Sequence, residues 1–143
     1  MAYPTSPYIT TGGLVYFARM ISKIQLFATG ELPPEYHANR GVRGDGVLCD
    51  YLDVDYAQLE QTVLDRELDA EQALAWCYEQ RGGPLSQPRI KVWNDFISKR
   101  GWNDDRAPSL LEEIRASGFE GRGIQTVFEY MAHDEGHEIP ERA

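Results

Sequence analysis

Cysteine and histidine are scarce in this chain, which has two cysteines and three histidines among its 143 residues. Cys49 and Cys77 are too few for a disulfide framework and too far apart for a CxxC metal pair. Cys49 precedes Asp50 and Cys77 follows Trp76 on an apolar helix face, so we expect neither thiol to act as a nucleophile. Three histidines are also few for a metal enzyme. The sequence therefore predicts no cofactor.

Long hydrophobic runs and a basic excess are also missing. No segment approaches the roughly 18 apolar residues that a membrane-spanning helix needs, because Arg19, Ser22 and Lys23 interrupt the most apolar region. The first residues have neither a basic region nor an apolar core, so we expect no secretory signal. The net charge of -9 argues against non-specific nucleic-acid binding. Together these features predict a cytoplasmic protein with neither a membrane nor a nucleic acid as partner.

The apolar residues that are present recur at helical spacing between glycines and prolines. Leu14, Phe17 and Ile21 begin the broadest apolar face, and Gly30 ends that segment. Several later segments are shorter and begin with a helix-capping residue, and no segment shows a sustained alternation of period two. The pattern predicts an all-α fold of six or seven short helices around a central apolar N-terminal helix.

The length suits a single compact domain over residues 1–143, because one hydrophobic core serves about 100–150 residues. We expect residues 1–11 to form an extended N-terminal arm and residues 133–143 to form a mobile tail. Residues 30–46 are predicted to form a long loop, and loops of more than about 12 residues are often functional.

Four segments carry a pattern that spans nearly the whole chain. They are GGLVYFARMISK at 12–23, EYH at 35–37, WNDF at 93–96 with RGW at 100–102, and DEG at 134–136. Together they resemble a bacterial family called Domain of Unknown Function 5069. The resemblance implies a small helical bacterial protein with no appended module. It implies no catalytic residues, because the family has no established activity.

The predicted loop and the polar side of the first helix form the main candidate site. Arginine guanidinium groups match carboxylates and phosphates, and an imidazole can move a proton near neutral pH. We therefore expect a small anionic metabolite to bind here, with or without a reaction, and His37 to be the catalytic acid or base. The predicted ligand-binding residues are Arg19, Lys23, Tyr36, Asn39, Arg40 and Arg43.

A different role for the same charges stays open. Residues 45–79 contain ten acidic side chains and one basic one, whereas residues 81–100 carry a net charge of +4. Arg40 and Arg43 would then pair with the acidic stretch, while Tyr36 and His37 close the loop over the core. The two charged stretches could also serve a protein-interaction module or a homodimer without small-molecule chemistry.

The spacing of His133 and His137 offers a weaker alternative, a metal site. Residues four positions apart share one helix face, and His37 or a carboxylate would complete the ligand set. The pattern is not HExxH, because the glutamate follows His133 by two positions and Gly136 weakens the helix between the histidines.

Overall fold

Residues 2–141, the part of the chain that this computed structural model describes, contain seven α-helices and one short hairpin. The helices are α1 (Phe17–Ala28), α2 (Gly44–Tyr51), α3 (Tyr56–Arg66), α4 (Ala70–Arg81), α5 (Gln87–Ser98), α6 (Ala107–Ala116) and α7 (Val127–Glu135). The hairpin pairs β1 (Thr10–Thr11) with β2 (Leu14–Val15) in antiparallel register. None of these helices has the length and apolar character needed to cross a membrane. The predicted all-α fold is confirmed, with the hairpin as an addition.

Helix α1 is the central element, as its apolar pattern predicts. Phe17, Met20, Ile21 and Ile24 recur at helical spacing and are each at most 1% exposed. The helix packs against α3, α4 and β1. It begins three residues after Leu14, where the apolar pattern starts, because Leu14 and Val15 form strand β2 of the hairpin.

The hairpin and α5 are joined by side-chain hydrogen bonds. The backbone nitrogen of Val15 donates to Asn94 Oδ1 at 3.1 Å, and Asn94 Nδ2 donates to the Gly13 carbonyl at 2.8 Å. Trp93 Nε1 donates to the Val15 carbonyl at 3.0 Å. Gly12 adopts a φ of 56°, and a Cβ there would lie 2.7 Å from a buried leucine side chain. The turn therefore requires glycine.

Several helices begin at the capping residues that the sequence indicates. Asp55 and Ser86 accept hydrogen bonds from backbone nitrogens at the starts of α3 and α5, and Asp69 forms a capping box with Gln72 at α4. Before α6, Asp104 accepts hydrogen bonds from the backbone nitrogens of Gly101 and Arg106, so it stabilises the preceding turn rather than capping the helix.

Two predicted irregular segments contain helix. Residues 30–46 include a 3-10 helix at Pro34–Asn39 and the first turn of α2. The segment 133–143 begins inside α7, whose last turn holds Glu135, and its final two residues lie outside the described part. Residues 2–9 form neither helix nor strand, whereas Thr10–Thr11, the last two residues of the predicted arm, form strand β1.

Candidate functional site

A cavity of about 200 Å³ lies between α1, the start of α2, the end of α5 and α7. Its apolar side chains are Val42, Ile97, Val127, Phe128 and Met131. Its basic side chains are Arg19, Lys23, Arg43, Arg100 and Arg106, and its carboxylates are Glu113, Asp134 and Glu135. The lining thus has more basic than acidic groups in a chain whose net charge is -9. Four of these five basic groups have carboxylate partners, so the count by itself gives the site no net positive charge.

A buried ion pair joins α1 to α7 at the back of the cavity. Arg19 Nη1 and Nη2 each donate a 2.7 Å hydrogen bond to one carboxylate oxygen of Glu135. The two side chains are 2% and 1% exposed, and Tyr36 adds a 2.7 Å hydrogen bond to Glu135 Oε2. Burial lowers the pKa of Arg19, but the hydrogen bonds and charge of Glu135 raise it above its ordinary value. Arg19 therefore stays charged, and the bidentate geometry fixes the position of both side chains.

The N-terminal arm covers this ion pair from outside. Arg19 Nη1 also donates to the Thr5 carbonyl at 3.2 Å. His137 Nε2 lies 3.1 Å from the Pro4 carbonyl and 3.0 Å from Glu135 Oε1. Residues near both ends of the described chain therefore meet around one carboxylate.

A second buried ion pair lies one helical turn along α1. Lys23 Nζ is 2.8 Å from Asp45 Oδ2, and the side chains are 5% and 0% exposed. Tyr16 donates a 2.7 Å hydrogen bond to Asp45 Oδ1, and the Gly41 nitrogen donates to Oδ2 at 3.0 Å. Burial lowers the pKa of Lys23, and the charge of Asp45 opposes that shift. The paired carboxylate fixes α2 against α1 and supports the cavity wall.

Two residues other than glycine that line the cavity have a positive φ. Tyr16 has a φ of 76° and Arg43 a φ of 52°, which cost about 1–3 kcal/mol each for a residue other than glycine. The Tyr16 ring stacks on Phe128, and the backbone of Gly44 approaches it so closely that a Cβ would lie 2.8 Å away. These contacts hold Tyr16 in its strained conformation.

Five of the predicted ligand-binding residues line this cavity. They are Arg19, Lys23, Tyr36, Asn39 and Arg43. Arg43 is the exposed member at the start of α2, and no carboxylate within residues 2–141 forms an ion pair with it.

Arg40 and His37 lie outside the cavity. The Arg40 guanidinium stacks 3.4 Å from the centre of the Phe27 ring and donates to Glu60 at 2.8 Å. His37 Nε2 lies 2.9 Å from the Leu32 carbonyl, and its ring packs edge-on against Phe27. Neither side chain is placed to contact a molecule in the cavity, so neither is part of the site proposed below.

The histidines near the end of α7 do not share a helix face. Helix α7 ends at Glu135, and Gly136 turns the chain with a φ of 78°. His133 instead lies beside the ring of Phe119, at 6.3 Å between centroids. Within residues 2–141, no three His, Cys, Asp or Glu side chains are grouped to hold a metal ion. The metal alternative gains no support from these positions.

The charged stretches are partly neutralised inside the fold. Asp45 is buried against Lys23, and Glu60 pairs with Arg40. Arg81 lies 4.0 Å from Asp53, which joins the two stretches weakly. Use of either stretch by a protein partner or by a second copy of the chain stays a prediction.

Sequence reasoning missed the contribution of α5, α6 and α7 to the cavity. Arg100 donates to Asp105 at 2.6 Å and to Asp104 at 3.3 Å, and Arg106 donates to Glu113 at 2.8 Å. These residues are far from the predicted loop in sequence, so no local spacing indicates that they meet it. The RGW segment that contains Arg100 and the DEG segment that contains Glu135 were the available signals.

The carboxyl group of Asp134 also lines the cavity and was missed. Burial raises its pKa, and the negative charges of Glu135 and Glu35 raise it further. Asp134 is therefore a weaker acid than an ordinary aspartate.

A family model described as Domain of unknown function (DUF5069) matches residues 1–137. The chain belongs to this family. No curated protein matches the chain. In this DUF5069 protein, each of the four segments that carried the resemblance contributes to the cavity. Their contributions include Arg19, Tyr36, Arg100 and Glu135.

Both thiols of this DUF5069 protein are buried and free. Burial raises the pKa of Cys49 and of Cys77 from the usual value near 9 to about 12. Because the unfolded chain loses these protons first, stability falls as pH rises from about 9 towards about 12. Each thiol contributes a fall of about 1 kcal/mol per pH unit within that range.

Urea unfolding at about pH 8 and about pH 10 measures this fall. Burial also raises the pKa of Tyr36 and Tyr56, so part of the fall belongs to phenol groups. Replacing Cys49→Ala and Cys77→Ala together therefore gives a shallower but non-zero fall. Equal falls in the variant and the original chain would contradict the assignment to the thiols.

Proposed function

We propose that this protein binds a small anionic molecule in the cavity, with Arg43 as the residue that meets the negative charge. The observation that carries the proposal is the placement of an unpaired guanidinium beside a partly apolar cavity. Two free thiols suit a reducing compartment, so the proposal includes a cytoplasmic location.

The other four basic residues of the cavity have carboxylate partners. Arg19 and Lys23 form the buried pairs, and Arg100 and Arg106 pair with acidic residues at the cavity rim. Their positive charges are compensated, whereas that of Arg43 is compensated only by solvent or by a ligand. An arginine can give two parallel hydrogen bonds to a carboxylate or phosphate, which matches this role.

The two buried pairs also give the cavity a rigid wall. They lie one turn apart on α1 and hold α7 and α2 at fixed positions. A site whose walls are held in this way loses little conformational entropy when a ligand binds. The strained backbone of Arg43 is consistent with a position held for binding.

The test compares two arginines three positions apart. Arg43→Ala removes the guanidinium of the cavity, and Arg40→Ala removes one that stacks on Phe27 outside it. We expect Arg43→Ala to weaken binding of small carboxylates or phosphates by about 10- to 100-fold, the typical value for a charged hydrogen bond. Calorimetric titration of the full chain with a panel of these anions measures the effect.

Two controls separate binding from stability. Arg40→Ala lowers the melting temperature but leaves anion affinity unchanged, because it loses the contacts with Phe27 and Glu60. Arg89→Ala removes an exposed arginine of α5 that does not line the cavity, and it changes neither property. Equal affinities for Arg43→Ala and the original chain would refute the proposed site, and so would a panel without any binding anion.

A further inference from the structure

The charges around the cavity limit the charge of its ligand. Arg43 is the one basic lining residue that lacks a carboxylate partner in the described part of the chain. A ligand with one negative charge balances it. A second negative charge would lie close to Asp134 and Glu113, which also line the cavity, and it would have no unpaired cation to meet.

The apolar side chains of the lining form a wall that a purely polar anion does not need. Phe128 and Val127 begin α7, and Met131 follows one turn later on the same helix. Ile97 extends this wall from α5, and Val42 precedes Arg43 in the chain. The apolar part of a ligand bound here is removed from water and packs against these side chains. The wall therefore favours a ligand with an apolar body.

The volume of the cavity limits the size of the ligand's apolar body. A volume of about 200 Å³ is below the roughly 300–1,000 Å³ typical of pockets for drug-sized molecules. It suits one ring or one short branched chain with its acidic group. Because the ligand carries one charge, that group is a carboxylate rather than a phosphate, which carries nearly two at neutral pH.

On these grounds we infer that the ligand is a monocarboxylate with a small apolar body, aromatic or branched aliphatic. The carboxylate meets Arg43, and the body lies against the α7 wall. The inference rests on the proposed function, since it assigns a chemical class to the anion bound at that same site.

Matched probes test separately whether binding requires the carboxylate and whether it requires the apolar body. Phenylacetate carries both features, acetate lacks the body, phenylacetamide lacks the charge, and phenyl phosphate and inorganic phosphate carry the wrong acidic group. Isovalerate supplies a branched aliphatic body. We expect phenylacetate or isovalerate to bind the full chain at least about 10-fold more tightly than the other four probes, as one charge or one apolar group changes affinity by that order.

Two variants test separately whether the affinity depends on the Arg43 charge and on the apolar wall. Arg43→Ala abolishes the preference for phenylacetate over phenylacetamide. Met131→Gln weakens phenylacetate but leaves acetate unchanged, because it places a polar group in the apolar wall. The acetate titration thus shows that the variant remains folded and keeps its charge site.

The outcomes separate this inference from the proposed function. If inorganic phosphate or acetate binds as tightly as phenylacetate, and the binding depends on Arg43, the proposed anion site stands and the assigned class is overturned. If phenylacetamide binds as tightly as phenylacetate, or if none of these probes and no anion of the wider panel binds, both are overturned.

Discussion

Replacing Glu135→Ala is expected to lower the free energy of unfolding by about 3–5 kcal/mol, the usual effect of removing one partner of a buried ion pair. The substitution leaves the Arg19 guanidinium, which is 2% exposed, without its carboxylate. It also removes the acceptor for the Tyr36 hydroxyl. Chemical denaturation at neutral pH measures the loss. Glu138→Ala, which removes an exposed carboxylate just beyond α7, serves as the matched control and changes stability little.

A double replacement shows whether the unpaired charge causes that loss. Arg19→Met with Glu135→Leu removes both charges and fills much of the space with apolar atoms. We expect this variant to be more stable than Glu135→Ala, because no charge remains buried without a partner. A Glu135→Ala variant within about 1 kcal/mol of the Glu138→Ala control would contradict the importance of the pair.

Replacing Asp45→Asn is the second change with a large expected effect, a loss of about 3–5 kcal/mol at neutral pH. The asparagine keeps the size of the side chain but leaves the Lys23 ammonium group without its counter-charge. Tyr16 and the backbone nitrogen of Gly41 each donate to a different carboxylate oxygen, and asparagine keeps only one oxygen, which is uncharged. Asp50→Asn, at an exposed position of the same helix, is the matched control.

The pH dependence of the Asp45→Asn variant identifies the cause. Burial already lowers the pKa of Lys23, and without the charge of Asp45 that pKa falls further below its value of about 10.4 in the unfolded chain. The unfolded state then binds more protons than the folded state, so the stability of the variant rises with pH. We expect its deficit relative to the original chain to shrink between about pH 7 and about pH 10. A constant deficit, or no recovery on adding Lys23→Met, would show that the lysine is not responsible.

The sequence predicted the helices well because a helix depends on residues that are close together in the chain. The apolar face of α1 and the capping residues Asp55, Asp69 and Ser86 each act within one or two helical turns, so the sequence shows them directly. The hairpin was missed because its strands have only two residues each, too few for a period-two pattern.

The candidate site was predicted only in part, because it depends on contacts between distant segments. Arg40 and Arg43 look equivalent in sequence, yet one stacks on Phe27 and the other borders the cavity. Asp45 belongs to an acidic stretch that is typical of a solvated surface, and only its contact with Lys23 explains its burial. Glu135 lies in a segment predicted to be a tail, where nothing local indicates a partner 116 residues away.

That long separation has a consequence for how the protein is made. Chains emerge from the ribosome N-terminal part first, at about 5–20 residues per second. Helix α1 is therefore complete long before the carboxylate that pairs with Arg19 has been synthesised. A nascent chain that ends before α7 lacks one side of the cavity, so we expect it to be unable to bind the proposed ligand. Binding of the proposed ligand would then act only on chains that include α7, and it would stabilise them against unfolding.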